Sequence, residues 1–356
     1  MSATATGGID CDLHPAVPGI AALVPYLEPQ WAEAVAQRGV HDLEPTSYPL
    51  RAPLTSRPDW RTAGAKAGSS PAQLGAQALD AFGSRAGILN CLYAVTTLFS
   101  EDMAAAFARA VNDWLAAEWL DVDKRLRASI VVPIQSPQLA AAEIERRAAD
   151  RRFVQVLLPC LADQPLGRRS LWPIYEAAAR HGLPIGIHAG STYRHPVTPV
   201  GWPSYFTEDY VNQAQGFQTQ LTSLVCEGVF SKFPMLKVVL IESGFTWLPA
   251  YLWRLHKYWR GLRMEIPWVD RPPPDIIREQ VRFTLQPVDA PMEGDALLRI
   301  LDQVGSDDLL LFSTDYPHWQ FDGQDALPPL LADSLKAKIL IDNPLATYPR
   351  LKEDFA

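Results

Sequence analysis

Residues 309–318 read Leu309-Leu-Leu-Phe-Ser-Thr-Asp315-Tyr-Pro-His318. Three leucines and a phenylalanine make the short apolar run of a buried parallel strand. Pro317 then prevents the ladder from continuing. A carboxylate at the end of a buried strand is costly unless a positive group meets it. Asp315 therefore reads either as a cap for the next segment or as a ligand for a cation, with His318 as a second polar group on the same rim.

Working outward, other strand candidates end in the same way. Gly7 to His14 reads as a first strand stopped by Pro15, and alternation places Asp12 and His14 on one face. Strand candidates follow at Ala86–Val95, Arg127–Ile134, Phe153–Leu158, Pro184–His188, Lys237–Glu242 and Val281–Leu285. Helical spacing appears between them over Asp102–Leu120, Gln138–Arg152, Leu171–His181, Tyr210–Phe230, Trp247–Arg263 and Ala296–Val304, and the tail Leu327–Leu351 reads mostly as helix. The Trp247–Arg263 segment is so rich in Trp, Tyr and Leu that burial on more than one side is expected. Asp270–Pro274 reads as a proline-rich turn.

Eight strands alternating with helices indicate a parallel α/β architecture. A doubly wound dinucleotide fold would place a Gly-rich loop after the first strand, and here Pro15 follows instead. A distorted (β/α)8 TIM barrel fits the count, as one domain over residues 1–356. Insertions are expected after strands 1 and 5, at 41–85 and 191–207. The first is rich in Pro, Ser, Gly and Arg, including Tyr48-Pro49. A loop of that length is expected to cover a site mouth or a partner surface. The second carries Tyr193, Arg194, His195, Trp202, Tyr205 and Phe206.

In such a barrel the chemistry sits at the carboxyl ends of the strands. Those ends carry Asp12, His14, His188, Glu242, Gln286 and Asp315, with His318 just beyond, a set suited to a divalent first-row metal. A net charge of −8 argues against nucleic-acid or anionic-membrane partners. The four cysteines are widely spaced, and free buried thiols are expected. The first eight residues lack the basic and apolar regions of a secretory signal, so a cytoplasmic location is expected.

Asp12-x-His14, Ile185-Gly-Ile-His188, Glu242-Ser-Gly-Phe-Thr-Trp-Leu-Pro249 and Phe312-Ser-Thr-Asp315-Tyr-Pro-His318 together resemble the amidohydrolase superfamily, in its amidohydrolase-2, decarboxylase-like branch. The resemblance implies one divalent ion held by Asp12, His14, His188 and Asp315, with zinc expected first and manganese or iron as alternatives. It implies hydrolysis or non-oxidative decarboxylation of a small carboxylate or lactone, with Asp315, Glu242 and His318 as catalytic groups. Arg194, Trp202 and Trp319 are expected to bind substrate. Many members have histidine where Glu242 stands, a departure that favours hydrolysis or adds a ligand. The strand Phe153–Leu158 has no lysine to bridge two metals. Alternatives are an iron- or manganese-dependent hydroxylase, or a partner subunit of such a complex. A homodimer, or a hetero-oligomer with a paralogous subunit, is expected.

Overall fold

A computed structural model describes residues 7–43, 56–191, 194–291, 295–319, 321 and 327–355. Its strands are β1 (Ile9–Leu13), β2 (Ala86–Leu89), β3 (Leu126–Val131), β4 (Phe153–Leu161), β5 (Ile185–Ser191), β6 (Val238–Ile241), β7 (Val281–Thr284) and β8 (Leu310–Leu311). They form one sheet in the order β1 to β8, each parallel to the next. Closure comes from backbone bonds between the first and last strands. The Cys11 amide donates to the Phe312 carbonyl at 2.9 Å and the His14 amide to the Tyr316 carbonyl at 2.8 Å. This is the TIM-barrel fold, so the strand ends named above share one rim.

Two apolar layers hold the barrel. Leu13, Leu89, Ala128, Ile130, Val156, Ile187 and Leu240 pack in the larger cluster with helix residues such as Phe107 and Tyr175. Ile9, Cys11, Ile88, Val154, Val239, Ile241 and Leu311 form a second cluster, to which the last helices contribute Tyr348 and Leu351. In β1, Ile9 and Cys11 belong to the second cluster and Leu13 to the first. The β1–β2 register shifts between Asp10 and Leu13. Such an irregularity re-aims side chains, and here Asp10 accepts from the Thr314 hydroxyl and amide at 2.6 and 3.1 Å while Asp12 and His14 join the rim.

Several bounds differ from the sequence reading. β2 stops at Leu89, just before the polar Asn90, and β8 spans two residues, after which the Phe312 amide turns to the Ile339 carbonyl at 3.0 Å. The expected turn Asp270–Pro274 is irregular only to Pro272, and Pro273 opens a helix that runs to Gln280. The helix Leu248–Leu262 is buried on one side only, through Leu248, Pro249, Tyr251 and Leu252, while Trp253 is 61% and Tyr258 49% exposed. Its aromatic richness on the outer face misled the expectation of wider burial. The four cysteines are free thiols, three of them buried. Among the described residues no helix is long and apolar enough to cross a membrane.

The first insertion reaches the rim. Ser56 pairs with His318 in an antiparallel bridge, and the Arg57 amide donates to the Pro317 carbonyl at 2.9 Å. The Trp60 ring lies 4.9 Å from the Tyr316 ring, and the Arg57 guanidinium stacks 4.1 Å over the Trp60 ring. Gly68, at φ +73°, passes so close that an added Cβ would sit 2.5 Å from the His14 carbonyl oxygen. Tyr48-Pro49 and Tyr193 lie outside the described residues.

Candidate metal centre

Six side chains from four strand ends converge. Asp12 and His14 come from β1, His188 from β5, Glu242 from the end of β6, and Asp315 and His318 from beyond β8. His14 Nε2 lies 3.2 Å from Asp12 Oδ1, 3.1 Å from Asp315 Oδ1 and 3.6 Å from Glu242 Oε1. His188 Nε2 lies 3.4 Å from Asp12 Oδ1. His318 Nδ1 lies 2.7 Å from Asp315 Oδ1 and 2.9 Å from Glu242 Oε1. Asp12, His188 and Asp315 are 0% exposed. Glu242 and Asp315 both take a left-handed backbone, each at φ 56°. Non-glycine residues held there are strained, and such strain gathers at functional sites.

The imidazoles are oriented as metal ligands are. His14 Nδ1–H donates to the Asn90 carbonyl at 3.1 Å and His188 Nδ1–H to the Ala189 carbonyl at 2.7 Å. Each ring is thereby fixed with Nε2 as the free lone pair. Three buried atoms of this cluster are left without hydrogen-bond partners: Asp12 Oδ2, His188 Nε2 and Asp315 Oδ2. Orphaned polar atoms at this depth are costly, and a divalent ion shared among them removes that cost. The donor chemistry and the orphaned atoms fit a divalent metal.

Electrostatics agree. Burial alone would raise Asp12, but the His14 and His188 imidazoles hold it well below the usual carboxylate range. Burial, then the charge of Glu242, push Asp315 up to about 7. Burial opposes charge on His318, yet the Asp315 carboxylate outweighs it and lifts the ring to about 9. Against burial, His14 is raised by the Asp12 and Asp315 carboxylates, and His188 by Glu242 and Asp12. Three carboxylates thus draw positive charge onto every imidazole nearby, which is the field a cation would occupy.

Sequence reasoning missed the support beneath these candidate ligands. The Asn90 amide nitrogen donates to Asp12 Oδ1 at 2.9 Å, and Asn90 Oδ1 accepts from Ser129 Oγ at 2.6 Å and Gln155 Nε2 at 3.2 Å. Tyr348 completes the chain by donating to Gln155 Oε1 at 3.0 Å. All four residues are buried. The available signal was a polar residue inside an apolar strand, as in Phe-Val-Gln155-Val-Leu-Leu.

The predicted substrate contacts are more dispersed. Trp319 follows His318, is 46% exposed and lies 6.3 Å from Tyr210. Trp202 is 57% exposed. Arg194 pairs with Asp163, donates to the Thr97 carbonyl at 3.0 Å and stacks on Phe99. Gln286 is buried, its amide donating to Ser313 Oγ at 3.1 Å. His181 pairs with Glu145, away from the cluster.

A parallel eight-stranded barrel with this donor set on its carboxyl rim defines a TIM-barrel protein with a divalent-metal site. The amidohydrolase family model Amidohydro_2 matches residues 9–350, and the chain belongs to that family. It is 26% identical over 245 residues to the gamma-resorcylate decarboxylase of Polaromonas sp. strain JS666, covering 64% of this chain and 71% of that one. An amidohydrolase structure from Mycobacterium avium subsp. paratuberculosis superposes with a TM-score of 0.72 at 21% identity, covering 96% and 98% of the two chains. A dihydroxybenzoic acid decarboxylase from Polaromonas sp. JS666, solved with manganese and 2-nitroresorcinol, superposes with a TM-score of 0.66 at 20% identity, covering 98% of each.

Proposed function

We propose that the chain is a manganese-dependent, non-oxidative decarboxylase of an aromatic carboxylic acid. The observation that carries this reading is Asp315. Its buried carboxyl touches His14 and His318 inside the metal-ligand set, and burial together with Glu242 raises it to about 7. Its contact with His318, at 2.7 Å, places it where a proton can pass between the two at the edge of the cluster. The names of the decarboxylase relatives support the same reaction class over the hydrolysis that Glu242 alone suggested. Manganese replaces zinc as the expected ion: structural relatives contain manganese, and a site with three carboxylates suits a hard cation.

Asp12, His14, His188 and Asp315 would hold the ion. When bound, it supplies charge that binds and polarises the substrate carboxylate. The chain's own residues do the rest. Asp315 delivers a proton to the ring carbon that bears the carboxyl group. A ring electron pair forms the new C–H bond, the carbon–carboxyl bond then breaks, its electron pair returns to the ring to restore aromaticity, and carbon dioxide leaves. His318, bonded to Asp315, returns a proton from solvent, so no oxidant is consumed. Trp319 and Trp202 offer ring faces to an aromatic acid. Arg194, engaged with Asp163, is left out of this assignment.

The test is anaerobic turnover of hydroxybenzoic acids in D2O by manganese-loaded protein. The expected result is one carbon dioxide per phenol, with deuterium at the vacated ring position, lost on chelation and in Asp315→Asn. Hydrolysis of esters or lactones with no carbon dioxide release, or a requirement for dioxygen, would refute the reading.

A further inference from the structure

The helix Leu248–Leu262 is seated on the barrel by its first turns, where Leu248, Pro249, Tyr251 and Leu252 are buried. From Trp253 to Trp268, Leu255, His256, Trp259 and Ile266 are half-buried and every other residue is exposed. Much of that surface is apolar: Trp253 is 61%, Leu262 51% and Met264 80% exposed, and Tyr258 and Trp268 are exposed as well. Large apolar side chains gathered on a surface mark an interaction site. Trp, Tyr, Met and Arg are also the residue types that protein interfaces collect.

Charge sets this helix apart. Arg254, Lys257, Arg260 and Arg263 follow at three-residue spacing, all exposed. Elsewhere most arginines meet a carboxylate, as Arg109 meets Glu28, Arg152 Asp121 and Arg299 Asp295. None of the four forms an ion pair among the described residues, and Arg254 lies 5.0 Å over the Tyr258 ring instead. Glu265 and Asp270, just beyond the helix, are exposed and equally unpaired among the described residues. Unmatched charge of both signs thus stands on one element. Gly261 is the remaining anomaly. A glycine inside a helix costs about 0.5–1 kcal/mol relative to alanine, yet a Cβ here would meet nothing within 4 Å. Nothing within the chain requires it, whereas a helix crossing closely from outside would.

We propose that this face is the contact between two copies of the chain. A surface holding both halves of its own complement suits a twofold pair, in which residue i meets j and j meets i. A nucleic acid or an anionic membrane would meet Glu265 and Asp270 too, on a chain of net charge −8. Arg254, Tyr258, Gly261, Leu262 and Glu265 recur at three- and four-residue spacing and so share a stripe. Two such helices cross antiparallel at Gly261, Tyr258 and Leu262 cover apolar surface of the other copy, and Arg254 of each copy meets Glu265 of the other.

The experiment is sedimentation velocity of the full-length protein, with far-UV circular dichroism as the check on folding. Wild type should sediment as a dimer or a larger even assembly. Gly261→Leu has open space within its own chain and a better helix former, so it should stay folded and halve the assembly. Arg254→Glu and Glu265→Arg should each raise the dissociation constant about 100-fold, because like charges then meet at two symmetry-related points. The two reversals combined in one chain should restore assembly. A wild type that is monomeric at tens of micromolar would overturn the proposal, and its sedimenting with phosphatidylglycerol vesicles would assign the face to a membrane. An assembly that survives Gly261→Leu, or a double reversal that stays dissociated, would overturn it as well.

Discussion

Asn90→Ala is the sharpest probe of how the centre is held. Asn90 touches no substrate, yet its amide fixes Asp12 Oδ1 at 2.9 Å and its carbonyl oxygen receives Ser129 at 2.6 Å. Removing the partner that orients a metal ligand lowers affinity by roughly 10–100-fold, or about 1.4–2.8 kcal/mol. The substitution also leaves the Ser129 hydroxyl proton buried without an acceptor, which costs about 1–3 kcal/mol of stability. Ser129 Oγ still accepts from Gln155 at 2.9 Å, so the network thins rather than collapses. Isothermal titration with manganese, paired with thermal melts of the metal-free protein, separates the two effects. Tyr348→Phe serves as the distal control: it removes the bond to Gln155 and should cost about 0.5–1.5 kcal/mol of stability while leaving metal affinity unchanged. A folded Asn90→Ala protein that binds manganese as tightly as wild type would refute the argument.

Other outcomes follow from the same geometry. If the proposed decarboxylation is right, Asp315→Asn should lower kcat by about 10²–10⁴-fold, measured by carbon dioxide release, because the proposed acid is lost. Gly244→Ala should destabilise the protein by about 1–3 kcal/mol in denaturant titration: Gly244 has φ +60°, and the new Cβ would lie 2.0 Å from Asp289 Oδ2, next to the turn that sets Glu242. Asp209 is buried, and burial raises its carboxyl above 3.8. A raised carboxyl favours the folded state below its unfolded value and loses that contribution as pH climbs through the folded value. Melts from pH 4 upward should thus fall less steeply in Asp209→Asn than in wild type.

Much of this was legible because a parallel barrel turns sequence order into spatial order. Once eight apolar runs were counted, Asp12, His188 and Asp315 had to share a rim, and Pro15 and Pro317 marked where β1 and the last strand leave the ladder. The fine structure was less legible. The register shift in β1 separates Asp10 from Asp12, although simple alternation puts both on one face. Asn90, Ser129 and Gln155 are single polar residues on separate strands, and only the closed barrel brings them together. The exposed face of Leu248–Leu262 shows the opposite failure, since Trp253 and Tyr258 carry apolar surface without being buried.

The measurement that bears most directly on the metal centre is an anomalous-scattering map at the manganese edge from crystals grown with the metal. We expect a full-occupancy peak bonded to Asp12, His14, His188 and Asp315, absent in crystals of His188→Ala. An empty rim in wild-type crystals, with manganese bound elsewhere on the chain, would contradict the account.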